Sequence, residues 1–324
     1  MAQNKTKCVF GPVPSRRLGL SLGIDLLPFK TCSMDCVYCE CGATTNLTCE
    51  RREYFPTDAV IAEINGVLSQ KPKIDCITFS GVGEPTLHSG IGRIIRHIRG
   101  HYPGLRICLL TNSSMLGDPA LLEDLQGISL IIPSLDGSNE EELFKINRQH
   151  AAVTLKSVMA GLLAFRTCYP GITMWLEIFI VPGVNDSPES AARFRDLAAQ
   201  IKPDKVQLNS LDRPGVLDWV RPAEPAALDR IASVIGQAVP VEIVSRHQKQ
   251  VKIQNGQPDV AQYNELILKT LRSRPAPRKT WYPRWGSPRT GSNRICGVWN
   301  GPDWLSPNQE PEAPSTAPPD SVIL

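Results

Sequence analysis

Cys32, Cys36 and Cys39 fall within the short stretch CSMDCVYC. Their C-x3-C-x2-C spacing is neither the paired C-x2-C groups of a closed zinc site nor the C-x2-C-x2-C run of a ferredoxin. A closed structural site takes four ligands, and three leave a position open. Three thiolates can hold three irons of a [4Fe–4S] cube, and the fourth iron is then available to a chelating small molecule. Cys41 is the one nearby candidate for a fourth ligand. A non-enzymatic iron–sulfur or zinc protein, acting in electron transfer or as a structural module, is therefore the competing reading. Of the ten cysteines, Cys76 in IDCITF and Cys108 in LRICLL sit in apolar runs and read as small buried hydrophobes. Cys8, Cys41 and Cys49 make no second compact group, which argues against an auxiliary cluster. The histidines (88, 97, 101, 150 and 247) are scattered, and none forms a metal pair.

The elements that must position this loop follow from the hydrophobic pattern. Strands are expected at 22–27, 74–79, 105–110, 128–133, 172–181, 205–209 and 241–244, with helices at about 57–70, 89–101, 118–126, 152–166, 187–200 and 223–238. Ser187, Pro188 and Glu189 give the fifth helix its start signal. Leu155, Val158, Met159, Leu162 and Leu163 recur at helical spacing and read as core. Alternating β and α units with buried strands predict an α/β fold, a partial parallel (β/α) barrel of about six βα units. In such a barrel functional groups gather in the βα loops. The cysteines, SGVGEPTL (80–87), TNSS (111–114), SLDG (134–137), PGVNDS (182–187) and NSLDRP (209–214) all fall there.

That combination resembles the radical SAM superfamily over roughly residues 8–250. Tyr38 stands just before the third cysteine, and GVGEP (81–85) is similar to the superfamily's glycine-rich motif after the second strand. The chain departs from that motif at Val82, where glycine is preferred. The runs FGPVPSRRLGLSLGIDLLPFKTC, PSLDG, INR and VQLNSLDRP resemble a branch related to the wyosine-forming tRNA-modifying enzymes. The resemblance implies a [4Fe–4S] cluster on Cys32, Cys36 and Cys39, with S-adenosylmethionine at the open iron. Reductive cleavage to a 5′-deoxyadenosyl radical would then abstract hydrogen from a substrate. It places Gly81, Gly83 and Glu84 at the methionyl ammonium, and Tyr38 and Val181 at the adenine. Asn112, Ser134 and Asp136 fall at the ribose and carboxylate, while Asn147, Arg148, Asn209 and Arg213 are candidates to face the substrate. The implied reductant is a ferredoxin or flavodoxin, and the substrate is a tRNA base, a protein side chain or a small metabolite.

Bulk composition bounds the partners. The formal net charge is +3, and residues from 272 onward hold seven Lys/Arg and four Asp/Glu, leaving 28 of each sign elsewhere. The region expected to fold thus carries no excess positive charge to steer a phosphate backbone. No membrane segment or apolar leader is evident, and cysteine usage fits a cytoplasmic chain. The domains read as a core at 1–250, a helical extension at 251–274 and a disordered tail at 275–324. That tail holds ten of the 28 prolines and four of the six tryptophans. A frame shift relative to a helical C-terminal domain would account for the break, and translating the gene's other frames tests it.

Overall fold

The computed structural model describes residues 7–212 and 215–244; the expected helical extension at 251–274, the tail at 275–324 and Arg213 lie outside the described residues. The described residues open with an antiparallel hairpin, β1 (Val9–Ser15) and β2 (Gly19–Ile24). The hairpin was not anticipated, because proline and glycine break up the apolar pattern of β1. The cysteine loop follows, framed by the two-residue strands β3 (Thr31–Cys32) and β4 (Asn46–Leu47), which pair in parallel.

A regular β/α succession then begins. It runs α1 (Thr57–Leu68), β5 (Cys76–Phe79), α2 (Ile91–His101), β6 (Arg106–Thr111), α3 (Pro119–Asp124), β7 (Leu130–Pro133), α4 (Glu140–Asn147) and α5 (Leu155–Cys168). It continues through β8 (Thr173–Phe179), α6 (Pro188–Ile201), β9 (Lys205–Asn209), α7 (Pro225–Ile235) and β10 (Val241–Val244). All seven expected strands form and pair in chain order, β1-β2-β5-β6-β7-β8-β9-β10, with every pairing after β2 parallel. The resulting partial parallel barrel agrees with the expected α/β class.

Period-two alternation divides each strand between two environments. Ile77, Phe79, Ile107, Leu109, Ile131, Leu176, Ile178, Val206 and Leu208 point outward into one large core shared with the helices. Cys76, Cys108, Leu130 and Ile132 point inward to a second core with Leu18. Both cysteines are fully buried there, as expected. On β8 to β10 the inward positions become polar. Gln207 donates to Glu242 at 3.0 Å, and the Lys205 ammonium lies 3.8 Å from the centre of the Trp175 ring.

Local signals explain the helix ends. Ser187 caps α6 by accepting from the Ser190 amide, with Pro188 in the first turn. Thr154 and Ser157 form a capping box on α5. Val158, Leu162 and Phe165 form the buried stripe of α5, whereas Leu163, expected in the core, is 37% exposed. Five residues past Val158 it has turned well off the inward face, and Phe165 fills that place. The unexpected α4 is short but well signalled, with Asn139 capping and three glutamates in its first turn.

Candidate functional site

The cysteine loop is held from two sides. Residues 33–37 lie along the end of α4 as an added strand would. Asp35 N donates to Asn147 O at 2.9 Å, Val37 N to Ile146 O at 2.9 Å, and His150 N to Ser33 O at 2.9 Å. Arg148 takes a left-handed φ of 41° and ends the helix. Its Nε donates to Asp35 O at 2.7 Å, and its Nη2 lies 2.7 Å from the Asp35 carboxylate. Asn147 and Arg148, candidates to face the substrate, hold the cysteine loop in place. On the other side Gly83 packs against Thr31: an added Cβ would stand 2.0 Å from the Thr31 carbonyl oxygen. Only glycine allows that approach.

Each of the three sulfurs meets an N–H donor from a different segment. Lys30 Nζ is 3.1 Å from Cys39 Sγ, Asn147 Nδ2 is 3.2 Å from Cys36 Sγ, and Asn112 Nδ2 is 3.5 Å from Cys32 Sγ. Burial pushes the Cys32 thiol up to about 12, and burial also raises Cys36. A hydrogen bond from Cys41, together with the Lys30 ammonium, brings Cys39 down to about 5. Among the described residues no three His, Cys, Asp or Glu side chains are drawn together tightly enough for a single metal ion. Cys39 nonetheless lies close enough to raise the pKa of both Cys32 and Cys36, and Cys32 that of Cys36. A donor set of three sulfurs with N–H groups aimed at each fits a cluster bound by thiolates, whose added charge those donors stabilise. Asn147 Oδ1 is buried beside Cys36 with no donor.

The other expected residues surround this loop. Glu84 is 2% exposed and spends its carboxylate internally. It accepts from Thr86 N and Oγ1 at 3.1 and 2.6 Å, Thr111 Oγ1 at 2.8 Å and Asn112 N at 2.7 Å. It thereby ties the loop after β5 to the loop after β6 and sets Asn112 over Cys32. Gly81 (φ 155°) leans on Asp25, whose carboxyl would lie 2.2 Å from an added Cβ. Tyr38 and Asp136 meet: the phenol donates to Asp136 at 2.6 Å, and the Tyr38 ring stacks on Phe179 at 3.7 Å and 8°. Asp136 also accepts from Asn147 Nδ2 at 2.7 Å and Phe179 N at 2.9 Å, and burial pushes it up to about 6. Val181 is fully buried in an apolar core with Val37 and Phe179, against which Tyr38 packs. Ser134 is half-buried at the end of β7, its carbonyl accepting from Ser113 Oγ at 2.7 Å. Asn209 turns its side chain back to the Ser210 amide at 3.0 Å.

Lys30 and Asp25 lie within the run FGPVPSRRLGLSLGIDLLPFKTC, but nothing in it singles either out as a site residue. The only available signal for Lys30 was a cation two positions before the first cysteine.

Comparison with known proteins identifies the family. The family model described as the Radical SAM superfamily matches residues 26–195, just over half of the chain. A Brachyspira hyodysenteriae protein named GTPase Obg is 39% identical over 209 residues, which are 64% of this chain and 30% of that one. The chain thus spans under a third of that relative. A UPF0026 protein of Methanocaldococcus jannaschii is 33% identical, covering 71% of each chain. A UPF0026 protein of Synechocystis is 32% identical, covering 77% of this chain and 88% of its own. Among solved structures, a radical SAM methyltransferase from Sphaerobacter thermophilus superposes with a TM-score of 0.56 at 15% identity, covering 69% of this chain and 65% of that one. Streptococcus suis SuiB bound to S-adenosylmethionine superposes with a TM-score of 0.52 at 14% identity, covering 69% and 51%. The chain belongs to the radical SAM superfamily, a family of enzymes that use a [4Fe–4S] cluster and S-adenosylmethionine.

Proposed function

We propose that Cys32, Cys36 and Cys39 hold the [4Fe–4S] cluster of a radical SAM enzyme. With S-adenosylmethionine, the group they would hold would supply the chemistry of reductive cleavage to a 5′-deoxyadenosyl radical and of hydrogen abstraction from a substrate. The observation that carries it is the convergence of Lys30, Asn112 and Asn147, from three segments, each on a different one of the three sulfurs. When bound, the cluster supplies the electron that splits a C–S bond of S-adenosylmethionine.

The chain's own residues bind, orient and shield. Glu84 fixes the two loops that carry Gly83 and Asn112, so their polar groups are set before any ligand arrives. Stacked Tyr38 and Phe179, over buried Val181, make an apolar wall suited to an adenine ring and to the exclusion of water. Asp136 holds the Tyr38 phenol and the Asn147 amide in place.

An external reductant, a ferredoxin or flavodoxin, supplies the electron. Relatives named as a dual-specificity RNA methyltransferase (30% identical over 181 residues) and a GTP 3′,8-cyclase (28% over 161 residues) support a nucleotide, such as a tRNA base, as substrate class. Among the described residues no helix is long and apolar enough to cross a membrane.

The test is release of 5′-deoxyadenosine by anaerobically reconstituted, reduced protein, set against Cys36→Ala. The expected result is release by the wild type and at least a hundredfold less from the variant. Uptake of zinc with no iron–sulfur absorbance would overturn the proposal in favour of a structural metal module.

A further inference from the structure

The three sulfurs are not electrostatically equivalent. Cys32 and Cys36 each face a neutral side-chain amide. Asn112 Nδ2 also donates to Ser33 Oγ at 2.9 Å while its backbone N donates to Glu84 at 2.7 Å, and Asn147 Nδ2 also donates to Asp136 at 2.7 Å. Cys39 faces a full cation. Lys30 is 2% exposed, has φ 52°, and has its carbonyl pinned by the amides of Thr45 and Asn46, both at 3.1 Å. Its side chain is thus directed inward by a left-handed turn of the backbone rather than left to seek water.

A buried ammonium is costly unless it meets negative charge. Among the described residues the hydrogen-bond acceptor for Lys30 Nζ is Cys39 Sγ. One thiolate satisfies a single donor of three. The remaining demand is for an extended anion at that corner. An iron–sulfur cube carrying three thiolates is such an anion, and it becomes more negative on reduction.

We propose that Lys30 sets the reduction potential of the cluster held at Cys39, stabilising its reduced state by a fixed positive charge. Lys30 acts through Cys39, so it is a positioning residue rather than a catalytic one. Hydrogen bonding to cluster sulfurs and local charge are established levers on potential. A cation placed on a single sulfur supplies both. The inference rests on the cluster assignment proposed above.

The experiment compares full-length wild type with Lys30→Met, Lys30→Gln and Lys30→Arg, all reconstituted anaerobically. Iron and sulfide content are measured first, followed by potentiometric titration monitored by electron paramagnetic resonance. Lys30→Met is expected to load a cluster whose reduction equilibrium is at least tenfold less favourable, which is about 59 mV lower for a one-electron couple. Lys30→Arg, which keeps the charge, is expected to stay near wild type. Lys30→Gln keeps a donor without the charge, and it carries the same comparison if the methionine variant assembles poorly. Equal potentials in a fully loaded uncharged variant would overturn this inference alone. Loss of iron from both uncharged variants, with normal loading of Lys30→Arg, would replace it with a structural role in assembly. A wild type that builds no cluster would overturn the cluster assignment as well.

Discussion

Asp25 follows the last residue of β2 and packs against the glycine-rich loop after β5. Its carboxyl accepts from Val82 N at 3.1 Å and Leu27 N at 3.3 Å, and it occupies the space a side chain at Gly81 would need. Burial pushes its pKa from an ordinary 3.8 to about 6, against the pull of those two amides. The fold therefore favours the protonated form. Stability from this group is fully present below the unfolded value of 3.8, is lost as pH rises through about 6, and stays at its lower level above that. Asp25→Asn removes this titration. Its stability relative to wild type is expected to improve by roughly 2 kcal/mol between acid and neutral pH, after allowing for the partial exposure of the group. Paired urea unfolding curves of the two proteins at pH 4 and pH 7 check this, and parallel pH profiles would contradict it. Single-residue chemistry was legible only in part. The cysteine spacing announced itself, whereas Asp25 and Lys30 matter because of what the fold sets beside them.

At the scale of elements, the glycine-rich loop after β5 serves the site by approaching the cysteine loop closely. Gly83 is the contact point, and an alanine Cβ would have to displace the Thr31 backbone from 2.0 Å. Backbone cannot step aside as a flexible side chain can. Gly83→Ala is therefore expected to cost about 2 kcal/mol or more, and to weaken S-adenosylmethionine binding at least tenfold in the reconstituted protein. Gly171→Ala has open space around it and should stay within about 0.5 kcal/mol of wild type. Thermal unfolding and equilibrium dialysis of the two variants decide the matter, and equal behaviour would remove the special role of Gly83. The α4 segment shows what element-level reading missed. Leu143 and Ile146 give its apolar pattern too few repeats to announce a helix. Yet the end of α4 supplies Asn147 to Cys36 and Arg148 to the cysteine loop.

Curvature of the whole sheet is visible in one side chain. Arg17, in the turn between β1 and β2, forms an ion pair with Glu177 on β8 and bonds Gln207 on β9 at 3.1 Å. A flat sheet in this strand order would hold them far apart, so the rung forms only because the sheet curls into a partial barrel. Both partners are mostly buried, with side chains 17% and 15% exposed, so removing one leaves the other charge poorly solvated. Arg17→Met is expected to destabilise the protein by about 2 kcal/mol, and adding Glu177→Gln should restore most of that loss. A double-mutant cycle by urea unfolding measures the coupling, and additive effects would show that the rung contributes nothing.

The sequence by itself determined most of the βα succession, because buried parallel strands demand apolar runs of the right length and several of the helices between them, α3, α5 and α6 among them, carry their own caps. It also determined the three thiols and the loop that bears them, since a metal-binding spacing is a local property of the chain. What only the tertiary structure decided are relations across the barrel: Lys30 on Cys39, Asn147 on Cys36, Tyr38 against Asp136, and Arg17 on Glu177. The last three pairs are separated by about a hundred residues or more and depend on how far the sheet curls. Lys30 is near Cys39 in sequence, but its side chain meets the sulfur only because a left-handed backbone turn and a buried setting direct it there.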